Sequence, residues 1–442
     1  MALNNLKYLK YIGLTLILVL SFSLRMYAVI YTIIDRPIRS DAAKYYNYAL
    51  NLKYKQTYSP QSFVDHNIKP DTLVSPGYPV FLIPFVKYPP SDSMLFIINL
   101  VQVFLGTVSV FLAYVIFRYF LSEIPSFIAT LLTAISPHLI SMNTYLLTET
   151  LFTFLMMFSL WLLIETYSRN KIIFALIAGI VFASAALTRP TLQYYIIFVV
   201  GLIIYQCKLK NALRLILPLI LGFSILIAPW FLYNLSVIGK ISDSTLAKNT
   251  VYHGIYPDFV YNGIASSRGM PYRFDPNSKK ISQSYKTIFS EITRRFRKEP
   301  YRYSKWYLVD KTLTLFSWDI IGGVGDVFIY PVKYSPYFDK QIFKLTHLFM
   351  KSIHWALVIL AFISSVFIWT KFYTKKLSEN SLFTLRALSL LIFYFIALHI
   401  IGAPYPRYSI PLRPVIYGLA IFTCSQCFGL LKEKFKAIAL SG

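Results

Sequence analysis

The feature that most constrains this chain is a series of apolar runs long enough to cross a bilayer. A hydrocarbon core of ~30 Å needs about 20 apolar residues in helical form. Such runs fall near residues 11–34, 94–117, 124–141, 146–167, 172–188, 190–206, 212–236, 352–371, 383–401 and 411–430. A further run, Pro79 to Val86, is about 8 residues long and reaches only ~12 Å at 1.5 Å rise per residue. Bracketed by Pro79, Pro84 and Pro89-Pro90, it reads as a re-entrant or interfacial piece. The pattern predicts an all-α polytopic membrane protein with about ten transmembrane helices.

Charge parity supports leaving the short run out of the count. With the N-terminus in the cytoplasm, the inner segments then carry Lys7 and Lys10, Arg118, Arg169 and Lys171, Lys208, Lys210 and Arg214, the 371–386 cluster, and Lys432, Lys434 and Lys436. Counting it as a span would place Arg118, Arg169, Lys171 and the 371–386 cluster outside, against the positive-inside rule. Both termini are thus expected in the cytoplasm. Lys7 and Lys10 precede a run too long for a signal peptide and lacking a small-x-small cleavage site, which reads as a retained signal anchor.

Lys and Arg outnumber Asp and Glu by 44 to 19, for a net charge of +25. In a soluble protein that excess would suggest nucleic acid. Here 56% of residues are hydrophobic and much of the charge sits in short loops, where it sets topology and meets anionic lipid head groups. No nucleic-acid partner is expected. Cys207, Cys424 and Cys427 are the only cysteines, none in a segment read as external, so no disulfide framework is expected. Cys424-Ser-Gln-Cys427 has metal-like spacing but lies inside an apolar helix, where two small residues on one face are the simpler reading.

The organisation follows: an N-terminal transmembrane module over 1–237 with a polar first outer loop at 35–78, an extracytoplasmic domain over 238–350, and C-terminal transmembrane helices over 351–442. The 238–350 region is aromatic and basic, with turn signals such as Asp275-Pro-Asn277 and Gly322-Gly-Val-Gly325. Residues 301–317 read as an amphipathic helix suited to a membrane surface.

Charged residues at or within spans are costly and mark cavities or sites. Several gather on the expected outer side: Asp41 in the first loop, Glu149 opening the fourth span, Arg189 in Thr188-Arg-Pro190, Arg407 in Pro406-Arg-Tyr-Ser-Ile-Pro411, and Arg25 in the outward half of the first span. Each has a plainer reading. Asp41 fits a helix N-cap, Glu149 a charge at a helix N-terminus, and Arg189 a snorkelling side chain. Arg25 lies deep enough that a partner such as Asp41 or Glu149 is expected. His66, His138 and His253 share no ligand spacing, and no phosphate loop, dinucleotide fingerprint, nucleophile elbow or zinc-binding pair occurs.

Six short stretches in order resemble the lipid-linked-sugar glycosyltransferases of the GT-C fold, in the branch of the protein O-mannosyltransferases and the lipid A aminoarabinose transferase. They are Arg39-Ser-Asp41-Ala, Ser75-Pro-Gly-Tyr-Pro-Val-Phe-Leu82, Leu147-Thr-Glu-Thr-Leu-Phe152, Ala186-Leu-Thr-Arg-Pro190, Ala228-Pro-Trp-Phe-Leu-Tyr-Asn234 and Pro406-Arg-Tyr-Ser-Ile-Pro411. The resemblance implies transfer of a sugar from a polyprenyl or dolichyl phosphate to an acceptor lipid, glycan or protein outside the cytoplasm, usually with inversion. It makes Asp41 the base, Arg407 and Arg189 the donor-phosphate ligands, and Glu149, Arg25 and Tyr78 supporting residues. Many relatives carry Lys or Arg where Ser75 stands, so Lys69 or an arginine elsewhere would replace that contact. Many also have an acidic pair where Ala42 follows Asp41, so no metal and no other cofactor is expected. The expected location is a plasma (inner) membrane with the active site extracytoplasmic. The rivals are a transporter or lipid flippase, a GT-C polymerase or ligase moving a whole lipid-linked glycan, and a non-catalytic assembly subunit.

Overall fold

The protein is seen in a computed structural model that describes residues 2–260 and 270–441. Helices stand at every apolar run. Among the described residues, six are long and apolar enough to cross a membrane: within α1 (Ala2–Tyr31) the stretch Lys10–Tyr31, then Asp92–Phe117, Glu149–Arg169, Leu209–Ile238, Gln341–Phe367 and Glu379–Ile401. The all-α polytopic architecture is as expected, with some of the apolar runs bent or shorter than a full span. The 124–141 run is two helices, Glu123–Ala134 and Pro137–Thr144, bent by 46°. Pro137 has no N–H to continue the first helix, so the ladder breaks there. Ile172–Thr188 and Pro190–Gln206 are shorter apolar helices. Ten residues that read as outer domain, 341–350, are the first turns of Gln341–Phe367, because Lys344, His347 and Lys351 sit within that helix without breaking it.

The chain after α1 forms a two-residue strand, β1 (Ile33–Ile34), and then α2 (Ser40–Lys55), which carries Asp41 in its first turn. Gln56 ends α2 in the left-handed conformation, φ 52°. The loop closes on the short α3 (Gly77–Leu82), far too short to span. Next come α4 (Asp92–Phe117), whose first turn is capped by Ser91 accepting from the Met94 N–H at 3.3 Å, α5 (Glu123–Ala134), α6 (Pro137–Ser141) and α7 (Glu149–Arg169). Then follow α8 (Ile172–Thr188), α9 (Tyr195–Gln206) and α10 (Leu209–Ile238). Lipid tails are as apolar as leucine, so helices associate through close packing of small residues. That is how α8 meets α10: a Cβ on Gly179 would lie 2.0 Å from the Leu219 carbonyl oxygen, and one on Gly222 would lie 2.1 Å from that of Leu176.

The region between α10 and the later spans is mostly short helices, among them α11 (Thr245–His253), α12 (Ser278–Ile281) and α13 (Tyr285–Lys298). The expected amphipathic stretch is α14 (Pro300–Lys305), a π-helical turn over Trp306–Asp310 and α15 (Lys311–Leu315), with Tyr301, Leu308, Val309 and Leu313 exposed. Strand β2 (Val332–Tyr334) returns to pair antiparallel with β1, Ile33 opposite Tyr334. This ribbon ties the region to the chain just before Asp41. A buried cluster of Ala42, Tyr46, Tyr78, Leu82, Tyr145, Ile320, Tyr330 and Ile410 joins α2, α3, the turn before α7 and the segment after Glu379–Ile401 into one packed base. The site stands on that base.

Candidate active site

Four segments distant in sequence deliver the charges. Glu149 opens α7, where the helix N-terminus favours a carboxylate. The turn before it is held by Gln102 of α4, which donates to the carbonyls of Asn143 at 3.1 Å and Tyr145 at 2.9 Å. Arg189 follows the last turn of α8. Because Pro190 comes next, Arg189 leaves the helix for an extended conformation, φ −143° and ψ 113°. Arg407 lies in the 3₁₀ turn Pro406–Leu412, and its backbone N–H donates to the Ile320 carbonyl at 3.2 Å. Asp41 sits on α2, whose start is braced by the Tyr330 hydroxyl donating to the Arg39 carbonyl at 3.2 Å.

These residues converge. The Arg407 guanidinium grips both Glu149 oxygens, through Nε to Oε1 and through Nη2 to Oε2 at 3.3 Å, and also donates through Nη1 to Asp41 Oδ2 at 3.2 Å. Arg189 Nη1 reaches Glu149 Oε1 at 3.4 Å, and its guanidinium lies 4.9 Å from the Tyr408 ring and 5.7 Å from the Phe152 ring. Lys44 Nζ lies 3.9 Å from Asp41 Oδ1. Burial is graded: the Glu149 side chain is 1% exposed, Arg189 10%, Arg407 17%, Asp41 40% and Lys44 49%. Burial alone would weaken the Arg407 charge, but Glu149 and Asp41 opposite it override that and hold its pKa well above the ordinary value. Tyr45 beside them is pushed up by burial and then by the Asp41 charge, so its hydroxyl stays protonated.

The plain reading of Asp41 as an N-cap does not hold: Arg39 occupies that position, and the Asp41 carboxylate turns to Arg407 instead. Arg25 was expected to pair with Asp41 or Glu149, and it pairs with neither. Its guanidinium donates to the Ser21 hydroxyl at 2.7 Å and to the carbonyls of Ala134 at 2.9 Å and Thr133 at 3.5 Å. It serves the carbonyls that the break after α5 leaves without helical donors. Tyr78 is fully buried; its ring packs edge-on to Tyr45 with centroids 5.2 Å apart, and its hydroxyl donates to Gln102 at 3.0 Å. Lys69 is exposed, and no contact of its side chain reaches the acidic cluster among the described residues. The stretch that closes the first loop does reach it. A Cβ on Gly77 would lie 2.6 Å from the Thr188 nitrogen, so α3 packs directly on the backbone leading to Arg189.

Sequence reasoning missed Lys44, Tyr330 and Tyr408. Lys44 stands three residues after Asp41 on a helix, a spacing that places both on one face. Tyr330 and Tyr408 carried no such signal among the chain's 35 tyrosines. Among the described residues, no three or more His, Cys, Asp and Glu side chains gather where they could hold a metal ion.

Comparison with known structures bears on this arrangement. The Archaeoglobus fulgidus oligosaccharyltransferase in its apo form aligns over 98% of this chain with a TM-score of 0.53 at 14% identity. The chain has the GT-C fold. It covers only 52% of that larger enzyme. The archaeal oligosaccharyltransferase AglB from Archaeoglobus fulgidus, in complex with an inhibitory peptide and a dolichol-phosphate, aligns at a TM-score of 0.50 and 15% identity, again over 98% and 52%. ArnT from Cupriavidus metallidurans, bound to undecaprenyl phosphate, aligns over 94% of this chain and 77% of that one, at 11% identity and a TM-score of 0.41. In sequence, residues 91–233 match the family described as dolichyl-phosphate-mannose-protein mannosyltransferase. That segment holds Glu149 and Arg189, two of the residues in the charged cluster. A search of the curated proteins finds no match.

Proposed function

We propose that this chain is a membrane glycosyltransferase that moves a monosaccharide, a hexosyl or pentosyl group, from an undecaprenyl or dolichyl phosphate donor to an acceptor hydroxyl on a lipid, glycan or protein. One observation carries the reading. Asp41 offers one oxygen to Arg407 and leaves its carboxylate 40% exposed, beside guanidinium groups suited to a phosphate. The acceptor oxygen attacks the anomeric carbon and gives its proton to Asp41. The carbon–oxygen bond to the donor phosphate breaks, and its electron pair stays on the phosphate oxygen. Attack from the face opposite the leaving group inverts the anomeric centre. As Asp41 becomes neutral the phosphate gains a charge, so Arg407 exchanges one anion for another without leaving its place.

Arg407 and Arg189 bind the donor phosphate. Glu149, bound by both arginines, orients them and does not touch the sugar. The donor set favours cations over a metal for stabilising the leaving group, because Arg407 already bridges the two carboxylates that would hold one. The positive-inside pattern supports an extracytoplasmic site in a plasma membrane, with both termini cytoplasmic. The region around 238–350 would cap the site and meet the acceptor, as its tie to the start of α2 suggests. Transfer of a whole lipid-linked glycan is the second reading, favoured by the fold shared with an oligosaccharyltransferase.

The test is a panel of lipid-phosphate monosaccharides and lipid-linked oligosaccharides supplied to purified protein. Asp41→Asn is expected to lower transfer at least ~100-fold, the ordinary range for loss of a general base, with the protein still folded and inserted. Full activity in that variant would remove Asp41 from the chemistry.

A further inference from the structure

Lys44 has no place in the family resemblance or in the cluster read from sequence, yet the geometry gives it a distinct position. The two arginines that would take the donor phosphate are heavily engaged. Arg407 spends three contacts on Glu149 and Asp41, and Arg189 is held by Glu149 between two aromatic rings. Both are largely buried and fixed. Lys44 is half exposed, and its one ion pair is the loosest in the cluster at 3.9 Å. Exposed pairs of this kind contribute little. A flexible four-carbon stem lets the ammonium leave Asp41 for another anion at small cost.

The charge balance gives the site a use for such a group. Two carboxylates, Asp41 and Glu149, face three cations, Arg189, Arg407 and Lys44. The surplus is one positive charge, which matches the single negative charge of a phosphodiester-linked sugar donor.

We infer that Lys44 is a mobile phosphate ligand of this site, pairing with Asp41 when the site is empty and turning to the phosphate of a polyprenyl-phosphate donor or product. The inference rests on the glycosyltransferase reading. When the acceptor proton passes to Asp41, that carboxylate no longer attracts Lys44, while the departing phosphate oxygen gains the electron pair of the broken bond. The ammonium then follows the charge. Lys44 thereby supplies the cation that the resemblance would place at Ser75.

The experiment measures binding of farnesyl phosphate, and of farnesol as the uncharged control, to wild-type protein and to Lys44→Gln and Lys44→Arg in detergent. Lys44→Gln is expected to weaken farnesyl phosphate binding at least tenfold while farnesol binding and the melting temperature stay within error. Lys44→Arg should keep phosphate binding within about threefold. A merely structural role would move both ligands together or lower the melting temperature. If the wild type prefers farnesyl phosphate over farnesol and Lys44→Gln keeps that preference, the Lys44 assignment is wrong and the glycosyltransferase reading stands. If the wild type shows no preference for the phosphate, both fall.

Discussion

Glu149→Gln is the perturbation whose consequence the geometry determines most closely. The carboxylate is 1% exposed and accepts two bonds from Arg407 and one from Arg189. Glutamine keeps the shape and removes the charge, leaving two largely buried guanidinium groups with Asp41 as their remaining counter-charge. Breaking a buried pair by removing one partner costs ~3–5 kcal/mol, because the remaining charge stays desolvated. The partial exposure of Arg407 and its remaining bond to Asp41 put the expectation at the lower end, about 3 kcal/mol. A double-mutant cycle with Arg407→Gln isolates the term. The two single variants should each be destabilised, and the double variant should be more stable than their sum by about 2 kcal/mol, within the range measured for contacting charged residues. Denaturant unfolding in one detergent is the assay, read against sugar transfer. Transfer should fall ~100-fold in Glu149→Gln, since a misplaced positioning group costs about that much. A coupling energy below ~0.5 kcal/mol would refute the claim that Glu149 organises the arginines.

Two further perturbations test neighbouring parts. Gly77→Ala places a methyl 2.6 Å from the backbone of Leu187 and Thr188; overpacking of this kind costs ~1–3 kcal/mol, and the displaced Arg189 turn should lower transfer more than Ala substitution at exposed Gly201, where a Cβ meets nothing within 4 Å. In the region between the spans, hydrogen bonds from Arg294 and then Arg295 hold the Glu291 carboxyl at about 2, below its usual 4.5. A depressed carboxylate adds stability that is present above pH ~4.5 and lost as pH falls through ~2, so thermal unfolding between pH 5 and 2.5 should show a shallower loss in Glu291→Gln than in wild type. Equal slopes would count against that pairing.

The spans were legible because hydropathy is a local property: a run of apolar residues reports its own fate. The break between Ala134 and Pro137 was legible in principle, through Pro137, but hydropathy averages across it. Asp41, Glu149, Arg189 and Arg407 could be chosen because charged residues are rare in such a chain and each stood at a span end or in an outer loop between spans. Their mutual contacts could not be read, since Asp41 and Arg407 lie 366 positions apart. Arg25 shows the limit. A deep arginine demands a partner, and sequence reasoning looked for a carboxylate; the carbonyls at a broken helix end met the demand instead, and nothing in composition marks a carbonyl as free. Lys69 fails for a related reason. Proximity in a loop sequence does not give proximity in space, whereas Lys44, on the same helix face as Asp41, was within reach of the i, i+3 rule.

The two carboxylates of the cluster differ most in environment, and in the proposed reaction that difference separates their roles. Glu149 is sealed, charge-matched and held at a helix N-terminus, so protonating it would leave two guanidinium groups short of a counter-charge. Asp41 has one oxygen on Arg407 and the other only loosely paired with Lys44, in a carboxylate 40% exposed, so a proton arriving there costs the cluster one exposed pair and one hydrogen bond. Pairs of acids whose surroundings differ in this way commonly divide into a structural anion and a working base. The same gradient orders the cations: Arg189 and Arg407 are bound to the sealed acid, and Lys44 to the open one. In the proposed reaction the proton and the phosphate charge arrive at the open end of this gradient, where the groups can still move, while the buried end keeps the geometry from following them.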